Sequence, residues 1–294
     1  MKFREAREWA ESRLRPLEDP KLEAELLLLH VMGWRRHRMV LNLDGEMPPE
    51  RLHLYRELVG RRKTREPLQH ITGVVEFMGR EFRAGPGALV PRPETETLTE
   101  IFSRGLTEPE YLLDVGTGSG VIAVSLALEF PCAAVIGLDF SRDALLLARE
   151  NRGVHGAFNL HLAAGDLTAP LMASAGIFDG IVANLPYVPS PDIDRLQPEV
   201  RNGDPVLALD GGEDGLKLVD RLLSSAPELL KRNGLLALEL DPGQTGRVHR
   251  RLTDDRRWTD AAIHDDLAGH PRFVTARRKD GDGGFFPPSP FVSL

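Results

Sequence analysis

The sequence predicts an α/β fold, in which a mostly parallel, seven-stranded sheet covered by helices follows a small N-terminal helical bundle and a β-hairpin linker. Two observations predict it. From Tyr111 onward, strand-like apolar runs alternate with helical runs, and continuously apolar strands are typical of a parallel sheet that is buried on both faces. Before that alternation begins, residues 1–70 carry only helical periodicity.

The N-terminal helices are predicted from their spacing and their ends. Asp19 is a suitable N-cap, Pro20 suits the first helical turn, and Gly33 is a typical stop. A further helix is predicted in PPERLHLYRELVGRRK. We expect residues 1–70 to form one helical domain, and residues 71–90, rich in β-branched residues, aromatics and glycines, to form the hairpin linker. Apolar residues recur at helical spacing at Phe3, Ala6, Ala10 and Leu14.

The larger domain is expected over residues 91–279. Its helices are predicted in GVIAVSLALEF, SRDALLLARENRG and DGLKLVDRLLSSAPELLKRNG. Its strands are predicted in YLLDV, AAVIGLD, NLHLAA, FDGIVAN and LLALEL, with two more around a turn in DAAIHDDLAGHPRFVTARR. The Gly/Pro-rich tail, residues 280–294, is expected to be poorly ordered.

Composition excludes several classes of protein. The 294 residues include 41% hydrophobic and 28% charged residues, which is ordinary for a soluble globular protein. The single cysteine, Cys132, excludes an intramolecular disulfide and a cysteine-cluster zinc site. Because the sequence has neither an N-terminal apolar leader nor an apolar run of about 18 residues, we expect a cytoplasmic location and no membrane insertion.

Charge is distributed unevenly along the chain. The net charge is −7, but residues 1–70 hold 15 Lys or Arg against 12 Asp or Glu, a net of +3, which leaves −10 for the remainder. Basic clusters lie at Arg35–Arg38 and Arg61–Arg65. Each is either solvated helical surface or a docking face for an acidic partner or RNA. The acidic remainder argues against the whole protein coating nucleic acid.

A glycine-rich loop lies between the first strand of the larger domain and its helix. Gly116, Gly118 and Gly120 alternate with Thr117 and Ser119, and three glycines exceed what a tight turn needs. Such a loop lets the backbone approach a ligand at a helix N-terminus, beyond the carboxyl ends of the strands. We therefore predict a cofactor site here.

The loop and the acid after the second strand fit two cofactors. Gly118, Gly120 and Ala123 have the spacing of a dinucleotide fingerprint, and Asp139 lies 21 residues after Gly118, as NAD ribose binding requires. S-adenosylmethionine also carries an adenosine whose ribose hydroxyls need such an acceptor. These residues alone leave both cofactors open.

Two further carboxylates favour S-adenosylmethionine. Asp114, two residues before the first glycine, suits a cationic amino group, which this cofactor has and a pyrophosphate lacks. Asp166, which precedes Leu167 after the third strand, can accept from an adenine amino group; the alternative is a solvated loop acid. Together with the loop and Asp139, these residues resemble a class I S-adenosylmethionine-dependent methyltransferase, which implies a Rossmann-like domain.

The fourth strand ends in Asn184-Leu185-Pro186-Tyr187, a poor structural choice because proline cannot extend a ladder. In class I S-adenosylmethionine-dependent methyltransferases, which these residues resemble, the corresponding strand ends beside the methyl group that is transferred. A planar amide or aromatic amine nitrogen is a weak nucleophile, which a site assists by accepting its N–H hydrogens and stabilising its growing positive charge. The Asn184 side-chain oxygen and the Leu185 carbonyl are the predicted acceptors. Pro186 fixes the chain, Tyr187 excludes water, and no metal or strong base is required.

This run is similar to the Asn-Pro-Pro-Tyr signature of methyltransferases that act on amide or adenine nitrogens. Within that group, the chain resembles the release-factor glutamine methyltransferases (the PrmC/HemK family) from residue 3 to about residue 278. The most specific shared runs are PRPETE, within Leu89–Glu96, and DLAG-x-x-R near the C-terminus. The helical bundle, EPLQHITGVVEFMGREF, DVGTGSG and GGEDGL also match.

The resemblance implies methylation of the side-chain nitrogen of the glutamine in the Gly-Gly-Gln motif of class-1 peptide-chain release factors, with S-adenosylhomocysteine as the cofactor product. It also implies that the helical domain docks the release factor. We expect a monomer that binds neither membranes nor nucleic acid directly. Carried over by position, Asn184 to Tyr187 bind the glutamine, and Gly116 to Gly120, Asp139, Asp166, Leu167 and Asn184 bind the cofactor.

Three departures from the family pattern leave alternatives open. Leu185 replaces the usual proline, and Asn-Leu-Pro-Tyr is the form seen in ribosomal RNA adenine dimethylases. Asp204 stands where Glu-Pro is common, and ELDPGQ lacks the family's glycine; we expect both to be peripheral. The alternatives are a ribosomal-protein glutamine methyltransferase and an RNA or DNA adenine N6-methyltransferase. The glycine loop, GSGVIA, also allows a dinucleotide-dependent oxidoreductase, which leaves Asn184 to Tyr187 unexplained, and a non-catalytic cofactor-binding module is a further alternative.

Overall fold

A computed structural model describes residues 1–171 and 176–279, so the tail at 280–294, predicted to be poorly ordered, lies outside the described residues. By its internal contacts the chain divides into two units. The first unit comprises Met1–Val74 together with Gln197–Gly203, and the second comprises Val75–Leu196 together with the chain from Asp204 onward.

The helices and strands follow one another in the predicted alternation. The helices are α1 (Phe3–Leu14), α2 (Pro20–Met32), α3 (Arg36–Asn42), α4 (Pro49–Lys63), α5 (Leu68–Thr72), α6 (Pro93–Arg104), α7 (Val121–Glu129), α8 (Arg142–His155), α9 (Pro198–Gly203), α10 (Lys217–Leu229) and α11 (Pro242–Asp254). The strands are β1 (Val74–Phe77), β2 (Arg80–Arg83), β3 (Tyr111–Val115), β4 (Ala134–Asp139), β5 (Leu160–Ala164), β6 (Phe178–Ala183), β7 (Leu230–Glu239), β8 (Trp258–Asp265) and β9 (Pro271–Arg278). Within the described ranges, no helix has the length and apolar character needed to span a bilayer.

In the first unit, the predicted ends of α2 are confirmed. The Asp19 carboxylate accepts from the backbone N–H of Leu22 at 3.0 Å, and Gly33 is a left-handed C-cap with a φ of 61°. The predicted apolar face of α1 is buried. At the centre of this core, the fully buried Tyr55 donates its hydroxyl hydrogen to the Ala24 carbonyl at 2.8 Å, which satisfies a buried polar group.

Helix α9 belongs to this first unit although it lies far along the chain. Glu199 on α9 accepts from Arg65 at 2.8 Å and from Arg62 at 3.4 Å. Arg62 also pairs with Glu23 at 2.8 Å. The basic cluster Arg61–Arg65 is therefore largely neutralised by carboxylates of its own unit, which weakens its interpretation as a docking face.

The second unit is built on a sheet of strand order β5-β4-β3-β6-β7-β9-β8. The pairs β3–β4, β3–β6, β4–β5 and β6–β7 are parallel, whereas β9 is antiparallel to both β7 and β8. The predicted α/β class with a mostly parallel sheet is confirmed. Connections reverse direction between β3 and β6, and ligands of such sheets bind at that switch point, outside the carboxyl ends of the strands. The glycine loop follows β3 and Asn184 follows β6, so both lie at this point.

One predicted boundary is wrong. The helical pattern extends to Gly234, but α10 ends at Leu229 and β7 begins at the next residue. Leu230 pairs with Phe178 of β6, and Asn233 has a φ of 61° inside the irregular start of the strand. Pairing with β6 therefore overrides the local helical propensity.

The predicted hairpin linker forms a two-stranded sheet of β1 and β2. Phe77 and Phe82 are buried and contact edge to face, with ring centroids 6.0 Å apart. Asn151, buried on α8, accepts from the Arg83 N–H at 2.7 Å and donates to the Ser119 carbonyl at 2.9 Å. This one side chain ties the hairpin to the glycine loop.

Gly118 and Gly120 provide a matched test of how tightly the loop packs. Their φ values are 55° and 81°, a left-handed conformation that costs other residues about 1–2 kcal/mol. A Cβ on Gly120 would lie 2.9 Å from the Cβ of Ala148, whereas a Cβ on Gly118 would meet nothing closer than 4.0 Å. We expect Gly118→Ala to lower the free energy of unfolding by about 1–2 kcal/mol. Gly120→Ala is expected to lower it by about 2–5 kcal/mol, because overpacking adds to the strain. Urea unfolding measures both, and equal losses would contradict close packing of the loop on α8.

Candidate active site

A cavity of about 350 Å³ opens at the switch point of the sheet, within the second unit. Small-molecule sites in proteins typically measure about 300–1,000 Å³, so a cofactor can be accommodated. Gly120, Asp114 and Tyr187 are not among the residues that line it. The predicted site residues that do line it are Gly116, Thr117, Gly118, Ser119, Asp139, Asp166, Leu167, Asn184, Leu185 and Pro186.

The glycine loop is held by backbone bonds to β4. The N–H groups of Gly116 and Thr117 donate to the Leu138 carbonyl at 2.8 and 2.9 Å. With a φ of 75°, Gly116 adopts a conformation that favours glycine, and a Cβ there would lie 3.0 Å from Cδ2 of Leu185. Glycine at 116 is therefore favoured by the left-handed backbone and by close packing on Leu185, while the loop itself lines the cavity, which fits close approach of a cofactor.

Asp139 ends β4 with its carboxylate at the cavity. Its two oxygens accept from the backbone N–H groups of Gly118 and Ser141, both at 2.8 Å. Burial raises the pKa of Asp139, and these backbone hydrogen bonds oppose that shift. Each carboxylate oxygen retains a further lone pair, so Asp139 can still accept from ribose hydroxyls. The residues present therefore fit an adenosine-containing cofactor.

Asp114 lies behind the loop, and its carboxylate does not line the cavity. It is fully buried and accepts from the Thr117 hydroxyl at 2.7 Å. Burial raises the pKa of Asp114 to about 7, although the hydrogen bond from Thr117 lowers it. Asp114 thereby braces Thr117, which does line the cavity. Its contact with the amino group of a cofactor stays a prediction.

Asp166 follows β5 and lines the cavity, but it is already paired. Its Oδ2 accepts from Nη2 of Arg221 at 2.8 Å, and this bond lowers the pKa of Asp166. Only part of its acceptor capacity is left for an adenine amino group.

Phe140 is a residue that sequence reasoning missed. It follows Asp139 directly, lines the cavity and is 67% exposed. An exposed aromatic ring beside the ribose acceptor offers an apolar face to an adenine ring. The signal that could have identified it is an aromatic residue placed directly after a strand-end acid.

Asn184 forms a hydrogen-bonded chain with two buried side chains. Its Nδ2 donates to Oγ1 of Thr95 at 3.1 Å, and the Thr95 hydroxyl donates to Oε2 of Glu239 at 2.9 Å. Burial raises the pKa of Glu239 to about 7, while the bond from Thr95 and the charge of Arg272 oppose the rise. Sequence reasoning assigned no role to Thr95 or Glu239, because no local pattern indicates that α6 and β7 meet at Asn184.

The rest of the Asn-Leu-Pro-Tyr run divides between the core and the cavity. Leu185 is 3% exposed and packs in the main hydrophobic core of the second unit, and it also lines the cavity. Pro186 lines the cavity, whereas the side chain of Tyr187 is half-buried outside the lining. Burial raises the pKa of Tyr187 to about 12.

Two side chains at or near the departures expected to be peripheral hold backbone close to this site. The buried Asp204 carboxylate accepts from the Val90 N–H at 3.0 Å and from the Arg92 guanidinium at 2.8 Å, which holds the run that carries Thr95. Gln244, in ELDPGQ, donates from Nε2 to the Tyr187 carbonyl at 2.8 Å.

Comparison with known proteins gives consistent matches over most of the chain. The family model of the PrmC N-terminal domain matches residues 5–73, and a model of a methyltransferase domain matches residues 107–258. Three relatives carry the name release factor glutamine methyltransferase. The protein of Geobacter sulfurreducens is 43% identical and aligns over 79% of this chain and 81% of its own. The proteins of Deinococcus radiodurans and Streptomyces coelicolor are 41% and 39% identical, over 89% and 88% of this chain and 92% and 91% of theirs.

Proposed function

The chain belongs to the release factor glutamine methyltransferase family, and from this premise we propose that it methylates the side-chain amide nitrogen of glutamine in the Gly-Gly-Gln motif of class-1 release factors. The chain is an S-adenosylmethionine-dependent enzyme of that family. The choice of glutamine rests on the named relatives, and the observation that carries methylation of a planar nitrogen is the shared cavity. Asn184 and Pro186 line the same cavity as the glycine loop and Asp139, so a strand-end amide faces the cofactor site.

The cofactor is proposed to bind along the carboxyl ends of the strands. The backbone of the Gly116–Gly120 loop and Thr117 receive its amino-acid part, with Asp114 acting through Thr117. Asp139 accepts from the ribose hydroxyls. Phe140 and Leu167 flank the adenine ring, and Asp166 accepts from its amino group.

The substrate amide is proposed to be held by acceptors alone. S-adenosylmethionine, when bound, supplies an electrophilic methyl group on its sulfonium sulfur. The Asn184 side-chain oxygen accepts one N–H of the glutamine and the Leu185 carbonyl accepts the other, which aligns the nitrogen and stabilises its growing positive charge. Pro186 restricts the backbone of Leu185 and keeps that carbonyl in place. The nitrogen gains one methyl group and loses one proton to solvent, so no side-chain base is needed.

Transfer of a labelled methyl group to a purified release factor tests the proposal. We expect label on wild-type release factor and none on a release factor whose Gly-Gly-Gln glutamine is replaced by alanine. Ribosomal RNA and ribosomal proteins serve as competing acceptors in the same assay. Label on either of them, with none on the release factor, would replace the proposed substrate.

The proposal includes a monomer that acts in the cytoplasm, where translation terminates, without direct contact to nucleic acid. The ion pairs that neutralise Arg62 and Arg65 support the last point.

Docking of the release factor is proposed to use α3 of the first unit. Met39 is the only buried residue of this helix, and Leu41 is 82% exposed. Arg38 stacks on Trp34 with its guanidinium carbon 5.2 Å from the ring centroid, so the face is both basic and apolar. Arginine and tryptophan are enriched at protein interfaces, and an exposed apolar side chain beside them offers further surface to bury.

Leu41→Asp is therefore expected to raise KM for the release factor about tenfold, as loss of an interface anchor does. The dissociation constant of S-adenosylmethionine and kcat should stay unchanged. The matched control is Leu146→Asp on α8, where the native leucine is 51% exposed; it should leave KM unchanged. An unchanged KM in Leu41→Asp would remove α3 from the docking face.

A further inference from the structure

Three elements meet at one buried polar chain in the second unit. Asn184 follows β6, Thr95 lies in the first turn of α6, and Glu239 is the last residue of β7. The Thr95 hydroxyl bonds to both of the others, at 3.1 Å to Asn184 and 2.9 Å to Glu239, and the Asn184 side chain also hydrogen-bonds Glu239 directly. Thr95 and Glu239 are both buried, so water cannot readily substitute for either partner.

The chemistry of these groups fixes which one donates and which one accepts in each hydrogen bond. An ionised carboxylate can only accept, so the single hydroxyl hydrogen of Thr95 is committed to Glu239. The Thr95 oxygen can then only accept from Asn184, which selects the NH₂ side of that amide. The Asn184 oxygen is therefore left free on the opposite side, as an acceptor.

Without these fixed roles, the amide of Asn184 has two nearly isosteric orientations. One presents an oxygen and the other an NH₂ group. The substrate nitrogen carries two hydrogens, so only the first orientation is complementary to it. The second would bring donor against donor and remove the acceptor that stabilises the growing charge.

We propose that Thr95 and Glu239 are positioning residues that keep the oxygen of Asn184, and not its NH₂ group, facing the substrate amide. This inference rests on the proposed function. The two residues act through Asn184, and they contribute no proton to the reaction.

Charges around Glu239 make this hydrogen-bonded chain of Asn184, Thr95 and Glu239 sensitive to pH. Arg272 on β9 favours its ionised form, whereas Glu94 on α6 and burial disfavour it, and the result is a pKa of about 7. Tyr187, whose pKa is raised to about 12, stays neutral beside it. When Glu239 is protonated it can donate to Thr95, and the Thr95 hydroxyl is then free to donate to the Asn184 oxygen. The acceptor orientation should thus be lost as the pH falls through about 7.

The test compares Thr95→Val, which keeps the shape and removes the hydroxyl, with Thr95→Ser, which retains it. We expect Thr95→Val to lower kcat on the order of 10²-fold, as loss of one stabilising group does. Thr95→Ser should stay within about threefold of wild type, since the same hydrogen bonds can form. Because Thr95 also lines the cavity, calorimetry with S-adenosylmethionine accompanies both variants. A loss confined to cofactor affinity, with kcat intact, would make Thr95 a cofactor contact and overturn the inference.

Glu239→Gln gives a second, independent measurement. In wild type, the pH profile of kcat should have an acid limb, with kcat falling below neutrality. In Glu239→Gln this acid limb should disappear. An acid limb with the same midpoint in both proteins would overturn the role of Glu239.

A readout without substrate separates this inference from the proposed function. The side-chain NH₂ signals of Asn184, assigned by their loss in Asn184→Ala, should titrate near neutrality in wild type and not in Glu239→Gln. If wild type transfers no methyl group to the release factor, the proposed function fails while these signals still decide the inference. Asn184 signals that do not respond to pH in wild type would overturn the inference.

Discussion

Asn184→Ala is expected to lower kcat about 10²–10³-fold, by analogy with the loss of one donor from an oxyanion hole. The variant removes a side-chain acceptor at the place where positive charge grows on the substrate nitrogen. Asn184 lies at the cavity with its NH₂ group committed to Thr95 at 3.1 Å, so only its oxygen is available to substrate. The measurement is methyl transfer to a release factor under saturating cofactor.

Leu185→Pro is the control for this result. If the Leu185 carbonyl is the second acceptor, the side chain is not the functional group, and kcat should stay within about tenfold, or about 1.4 kcal/mol in the barrier. The variant should nevertheless be less stable, because Leu185 is 3% exposed in the core and contacts the glycine loop. Thermal unfolding measures that loss separately from the rate.

Leu185→Pro and Asn184→Ala could prove equally inactive while a crystal structure shows the backbone of the proline variant unmoved. That result would mean that the leucine side chain contacts and selects the substrate. The adenine-methylating alternative would then gain support. Proline restricts the residue before it, so the structure is needed to exclude a shift of Asn184 itself.

Asp139→Ala is expected to weaken S-adenosylmethionine binding on the order of 10²-fold, because hydrogen bonds to a charged group contribute about 1.5–3 kcal/mol each. The carboxylate also accepts from the N–H groups of Gly118 and Ser141, so its loss loosens the loop as well. Calorimetry of the folded variant measures the dissociation constant directly.

Asp166→Ala is the matched comparison on the same cavity. Asp166 is exposed and already paired with Arg221 at 2.8 Å, so its removal should weaken cofactor binding less than about tenfold. A larger loss in Asp166→Ala than in Asp139→Ala would reverse the proposed roles of the two acids. The same titrations with NAD distinguish the cofactors, since tight NAD binding without S-adenosylmethionine binding would exclude the methyltransferase assignment.

The sequence by itself determined the features that depend on local pattern. Apolar periodicity and the strand–helix alternation predicted the sheet and the helical domain, and glycines at a strand end predicted the cofactor loop. These signals are readable because a strand, a helix cap or a left-handed glycine depends on neighbours within a few residues. Asn184 was identifiable for the same reason, since a polar residue two positions before a proline at the end of a buried strand has no local structural purpose.

Tertiary structure alone decided which distant residues complete the site. Thr95 is separated from Asn184 by 89 residues and from Glu239 by 144, and each pair meets only because α6 packs against strands that lie side by side in the sheet. The same holds for Asp204 and Gln244, and for Glu199 of α9, which joins the first unit through ion pairs with Arg62 and Arg65. Sheet pairing also moved the start of β7 to Leu230 against the helical pattern. Contacts of this kind are set by how the elements pack and by the need to satisfy buried polar groups, and no local run of sequence carries that information.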